Sequence, residues 1–305
     1  MIGKTFSPFE IPTFMSIQNT NSPLPVGPPP DWVGSEFAPL LSEPFDRVWA
    51  RPDLHTTGVD AVRGRLLGRL AQSRATERAM FTARRRRLAS EALAVGVRAQ
   101  TLYLARMGQT LRPGEPLRAR LIEVSAGAQL VPDRLDAPAT LKERHCEWLV
   151  LSGSVQCADE VLSQRDYHVT PAGHEGPTWI SPSGALLFLR ESNPLTEAGD
   201  IPFTVRDADA CWPAYAPGIQ RRVLWQQGGQ AALLYYAQAG AQVPHHHHGH
   251  DEECLMLQGE LFLDDLLLQP GDYQLAPAGT GHRVTETDTG VVLYTHGDLD
   301  LNFVA

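Results

Sequence analysis

Cysteine is scarce in this 305-residue chain: Cys146, Cys157, Cys211 and Cys254 are the only four, with no C-x-x-C pair. Such scatter supplies neither a disulfide framework nor a zinc ribbon, and it fits a reducing, cytoplasmic setting. Long apolar runs are also missing. None approaches the roughly 20 residues that a membrane span needs, so no membrane association is expected. The opening MIGKTFSPFEIPTFMSIQ lacks the basic-then-apolar order of a signal peptide. Positive charge is in deficit, with 26 Lys and Arg against 35 Asp and Glu and a formal net charge of −9. That balance weighs against nucleic acid as a partner. What remains, 43% hydrophobic and 20% charged residues, is the composition of a globular protein with a substantial core.

The first thirty residues are rich in Pro, Ser, Asn and Gly, ending in SPLPVGPPP, and residues 1–58 read as an extended arm. Residues 59–93 read as an amphipathic basic helix. Val62, Leu66, Leu67, Leu70 and Ala71 recur at helical spacing, and nine arginines face one glutamate between positions 63 and 87. A docked helix with a solvated basic face accounts for this pattern; a protein partner seated on it is the sharper expectation.

From about residue 95 short apolar runs alternate with Gly, Pro and Asp, the signals of strands and turns. The runs repeat. GVRAQTLY (96–103) answers GIQRRVLW (218–225), AGAQLVP (126–132) answers AGAQVP (239–244), and LVLSGSV…RDYHVTPAG (149–173) answers LMLQGEL…GDYQLAPAG (255–279). Two copies of one all-β unit are therefore expected, over 95–195 and 205–305, each a small antiparallel barrel or double-sheet jelly roll.

The second copy contains PHHHHGHDEECLMLQG, Pro244 to Gly259. Side chains two apart on a strand share a face. Parity allows His246, His248 and Glu252 to converge, and it equally allows His245, His247 and Glu253. Either set offers two imidazoles and a carboxylate, a ready face for a divalent metal. A further donor, His282, follows the turns of GDYQLAPAGTGHRV. Cys254 shares the parity of Glu252; it reads as a small buried hydrophobe, or more sharply as a sulfur that responds to oxidants. The first copy differs: Cys146 stands in the place of Glu252, Gly176 in that of His282, and no histidine lies between His55 and His145. It reads as a barrel without metal, with an irregular site from His145, Cys146, His168 and His174 as the minor alternative.

The second copy resembles the cupin superfamily, whose motifs are G-x5-H-x-H-x3-E-x6-G and G-x5-P-x-G-x2-H. Gly240, His246, His248, Glu252 and Gly259 match the first; Gly271, Pro277, Gly279 and His282 match the second. The resemblance favours the even-numbered register and implies one divalent metal per chain held by His246, His248, Glu252 and His282. Glu286 stands where the second motif usually has Asn. Within the superfamily, the run PGIQRRVLW…GGQAALLYY…GAQVPHHHHGHDEECLMLQGE is similar to the cupin domain of ChrR-type anti-sigma factors. That likeness implies zinc and a role in transmitting oxidative stress to a helical domain that holds a sigma factor. The family's N-terminal zinc motif, H-x3-C-x2-C, is absent, since no cysteine precedes residue 146.

Two functions follow for a bicupin with an N-terminal helical arm. One is a metal-binding regulatory or stress-sensing protein without the zinc anti-sigma domain. The other is a dioxygenase-type cupin enzyme with iron, manganese or nickel in the same shell, acting on a small chelating substrate. No separate general base or nucleophile stands out. A small-molecule ligand in the C-terminal barrel and pairing of two chains into a homodimer complete the expected partners.

Overall fold

A computed structural model describes residues 61–68, 80–106, 108–132, 135, 143–194, 201–209 and 211–304. The expected arm, 1–58, lies outside the described residues. Residues 61–68 form a short helix.

The remainder is strand-rich and doubled. One sheet runs in the order Glu91–Ala94, Val97–Leu104, Pro116–Val124, Ala185–Ser192, His145–Cys157, Tyr167–Thr170, Phe203–Val205. The other runs Ala214–Ala216, Ile219–Gln227, Gln230–Ala237, Val291–Asp298, Glu252–Gly259, Tyr273–Ala276, Phe81–Ala83. These two orders are the same topology written twice, each closed into a barrel by shorter strands. The same backbone requirement appears in both copies. Gly153 has φ 72° and Gly259 φ 73°. A Cβ there would stand 2.0 Å from Gly184 O and 1.9 Å from Gly290 O. Only glycine meets both demands, left-handed backbone and close approach of a neighbouring chain.

The last strand of each sheet is exchanged. Phe81–Ala83 precedes the first barrel in sequence yet pairs with Tyr273–Leu275 of the second. Phe203–Val205, which leads into the second barrel, pairs with Tyr167–Val169 of the first. The fastenings match as well. Arg84 donates to Asp272 Oδ2 at 2.6 Å and Arg85 N to Asp272 Oδ1 at 3.1 Å. Correspondingly, Arg206 donates to Asp166 Oδ2 at 3.1 Å and Asp207 N to Asp166 Oδ1 at 2.7 Å.

This exchange corrects the expectation of a helix over 59–93. Beyond residue 68 that span includes the strand Phe81–Ala83, a 3-10 turn at Arg85–Arg87 and the strand Glu91–Ala94. The arginine run that resembles one face of a helix is a turn in which Arg84 and Arg85 converge on Asp272. Long-range ladder bonds and one buried carboxylate override local helical preference.

Three cores result. One lies between the sheets and joins Leu149, Tyr167 and Phe188 of the first barrel to Leu234, Tyr273 and Tyr294 of the second. A second fills the first barrel with fifteen buried residues, including Trp148 and Trp179 packed edge to face at 4.7 Å. The third, inside the second barrel, has nine and no aromatic ring among them.

The sheet-to-sheet core also encloses charge. Arg190 donates to Glu253, to Glu147 Oε1 at 2.7 Å and to Gly114 O at 2.6 Å. Tyr273 donates to Glu253 Oε1 at 2.6 Å and Tyr294 to Glu147 Oε2 at 3.0 Å. Burial opposes ionisation of Glu147, yet His296 and Arg190 hold its carboxyl well below the ordinary range. Both barrels contribute to this cluster: Arg190 and Glu147 pair within the first, and Glu253 of the second is paired only when the two are together.

Candidate metal centre

The strand His246–His247 pairs with Gly281–His282 and with Asn302–Phe303, and its register sets His246 directly opposite His282. Alternation does the rest. His246 and His248 are 3% exposed and His282 2%, whereas His247 faces outward. The ring centroids stand 5.4 Å apart for His246 and His248, 5.8 Å for His246 and His282, and 5.1 Å for His248 and His282. Glu252, the first residue of Glu252–Gly259, brings Oε1 to 3.6 Å from His248 Nε2. Donor atoms of His246, His248 and Glu252 all lie within 4.8 Å of one another, close to the span of an ion with donors at about 2.0–2.2 Å.

The nitrogen atoms fit such an ion. His246 Nδ1 meets Pro244 O at 2.9 Å, which assigns the proton to Nδ1 and leaves Nε2 unengaged. Both ring nitrogens of His248 and of His282 are buried without a hydrogen-bond partner. Burial lowers the pKa of His246 and His248 from 6.5, with Glu252 opposing. They are therefore neutral at physiological pH, the state that donates a lone pair. Buried polar atoms without partners are costly and uncommon; here the three rings stand together, although His282 lies outside the group whose donor atoms are within 4.8 Å of one another.

Carboxylates outside the ring orient it. Asp264 Oδ2 approaches His282 Nδ1 at 3.5 Å, and its Oδ1 accepts from Arg283 N at 2.9 Å. Asp298 holds the turn between His248 and Glu252, accepting from Gly249 N and engaging His250 Nδ1, both at 2.5 Å. Asp251 Oδ1 accepts from Ala278 N at 2.8 Å, tying that turn to the one preceding His282. No local pattern marks Asp264 or Asp298, because each acts on residues distant in the chain. His250 keeps 39% of its side-chain exposure while bonded to Asp298.

Beside the imidazoles lies a cavity of about 70 Å³, walled by aliphatic side chains and reached by Cys254, Thr285, Tyr215 and Tyr235. Burial, with Glu252 adding to it, pushes the Cys254 thiol upward, which makes it a packing residue and not a reactive thiolate.

The first barrel has no counterpart. Its ladder pairs Leu130 with Trp179 where the second pairs Val243 with Thr285. Trp148 stands two residues after Cys146, as Cys254 does after Glu252. Two indoles thus occupy the volume that is open in the second barrel. Leu135 and Cys146 are core residues; His145 lies 5.3 Å from the Trp225 ring, and His168 Nδ1 meets Thr204 Oγ1 at 2.9 Å. Among the described residues, His246, His248 and Glu252 are the only group of three donors so gathered, and the irregular site considered for the first copy does not assemble.

Residues 201–300 match the family described as the ChrR Cupin-like domain. No curated protein matches the chain. Among solved structures, a dioxygenase candidate from Nostoc punctiforme is similar over 74% of this chain and 85% of its own, at 13% identity and a TM-score of 0.57. Oxalate decarboxylase from Bacillus subtilis is similar over 71% of this chain and 75% of its own, at 15% identity and a TM-score of 0.51. At identities this low the likeness is one of fold: the chain folds as two cupin-type barrels, and residues 201–300, the second of them, match the ChrR Cupin-like domain.

Proposed function

We propose that the protein is a regulatory bicupin that binds one divalent metal, zinc, through His246, His248, Glu252 and His282, and responds to small molecules or oxidants reaching that site. The observation that carries this reading is the gathering of His246, His248 and Glu252 donor atoms within 4.8 Å of one another, beside the buried, unpartnered ring nitrogens of His282, in the barrel that matches the ChrR-like domain. An ion bound there supplies a Lewis-acidic centre. The chain does the remainder: burial keeps His246 and His248 unprotonated, Asp264 orients His282, and Asp298 fixes the turn that presents Glu252. With Cys254 buried and its thiol held protonated, the responsive groups at this site are the metal ligands and not Cys254. The first 94 residues carry no H-x3-C-x2-C motif, so a protein partner seated on them is held in a different way from that of a zinc anti-sigma domain; the setting is a reducing cytoplasm.

A second reading, a dioxygenase-type cupin enzyme with iron, manganese or nickel, is favoured by the cavity beside the ligands. Metal analysis of the purified protein, followed by oxygen-uptake assays with small diketones and aromatic substrates, separates the two. Zinc without turnover supports the regulatory reading; iron with substrate-dependent uptake overturns it.

A further inference from the structure

We infer that the C-terminal cavity selects a small monoanion with an aliphatic body, a short-chain monocarboxylate or close isostere, and rejects dicarboxylates. This rests on the metal-binding reading, because the anionic head is placed at the ligand set. Four observations carry it.

The wall is hydrocarbon: Ile219, Val243, Leu261, Leu263, Val291 and Leu293 line it, and none of its lining side chains is Lys or Arg. Arg221, which lies over the lining residue Tyr215, is already committed. It donates to Leu299 O at 2.6 Å and to Asp300 Oδ1 at 3.0 Å, and lies 4.2 Å above the Tyr215 ring.

Charge counting then sets the valence of the ligand. A divalent ion with three neutral imidazoles and one carboxylate retains a single positive charge. One anionic head neutralises it. A second carboxylate would be buried against aliphatic carbon without a cation, an expensive placement.

Size sets the body. Roughly 10–15 Å³ of such space holds one water, so a cavity of about 70 Å³ takes on the order of five water-sized groups, the scale of a four-carbon acid.

One polar atom is left over on the wall. Thr285 Oγ1 is buried without a hydrogen-bond partner in the protein, and it occupies the register position that Trp179 fills in the first barrel. The second barrel is thus hollow where its duplicate is solid, and Thr285 is among the side chains that line the space.

The test is calorimetric titration of the metal-loaded full chain at neutral pH with formate, propionate, butyrate and succinate, after its metal content has been measured. Each buried methylene contributes about 0.8 kcal/mol, or roughly fourfold in affinity. Butyrate is therefore expected to bind about fourfold tighter than propionate, and succinate, equal to butyrate in carbon count but carrying a second carboxylate, at least tenfold weaker than butyrate. Cys254→Trp, which copies the filling of the first barrel, and the milder Ala237→Leu should abolish the chain-length gain while metal content and formate binding persist. Should Cys254→Trp fail to fold, Ala237→Leu alone decides. A metal-loaded chain with a flat series, with succinate tighter than butyrate, or with a gain indifferent to Ala237→Leu, overturns the selectivity alone. A chain that retains no metal overturns the reading beneath it, and the proposal with it.

Discussion

Asp264 and Asp298 illustrate how much of the site lies one residue behind its ligands. Both are turn or strand-end carboxylates whose partners, His282 and Gly249–His250, are remote in sequence. The candidate ligands were readable, because a strand's alternation allows His246, His248 and Glu252 to share a face and the cupin motifs add His282; the structure gathers the first three. The residues that orient them were not, since no local spacing marks them. Asp264→Asn should lower metal affinity about 10–100-fold, measured by competition with a chelator, with the fold retained by circular dichroism. An unchanged affinity would show that His282 needs no carboxylate behind it. His168 gives a pH prediction free of the metal. Burial lowers its pKa from 6.5. The unfolded chain therefore binds the proton more readily, so the stability this residue contributes is present above pH 6.5 and lost as pH falls through its depressed folded value. His168→Gln, the residue its counterpart Gln274 already carries, should flatten the loss of stability below pH 6.5 in denaturant titrations. An identical pH profile in the variant would remove His168 from that account.

Among elements, the strands of both barrels and their duplication were legible from turn residues and repeated phrases. The segment before the first barrel was not. Its arginines satisfied a helical template, while the strand Phe81–Ala83 is only three residues long and gains its partner from Tyr273–Leu275. A clue did exist: Phe81-Thr82-Ala83 and Phe203-Thr204-Val205 are a further repeat, visible once the exchange is known. Asp272→Ala removes the acceptor of Arg84, Arg85 N and Gln269 N and should cost about 1–3 kcal/mol. Faster amide exchange in 81–83 and 273–275 should accompany the loss, and protection equal to wild type would refute the fastening role. Gly259→Ala places a Cβ against Gly290 O at left-handed φ, and should destabilise by at least about 2 kcal/mol in urea unfolding. A loss well under 1 kcal/mol would mean that the two strands separate easily.

Over the whole molecule, the duplication has diverged into unlike halves. Trp148 and Trp179 make one barrel solid; the other keeps a cavity beside three imidazoles and a carboxylate. The exchanged strands and the buried cluster of Arg190, Glu147 and Glu253 join the halves. None of this joining was legible beforehand, because an inter-barrel ion cluster reads in sequence only as isolated charges on apolar strands. Removing Arg190 leaves two buried carboxylates without their shared cation. Arg190→Leu should therefore cost about 3–5 kcal/mol and separate a single unfolding transition into two, followed by calorimetry. One unchanged transition would show that the halves do not depend on that cluster.

The measurement that bears most directly on the metal centre is the metal content of purified protein, wild type beside His246→Ala, His282→Ala and His145→Ala. One divalent ion per chain is expected in wild type and in His145→Ala, with strong loss in His246→Ala and His282→Ala. Wild-type protein without stoichiometric metal, or equal loss on changing His145, would contradict a single centre in the second barrel.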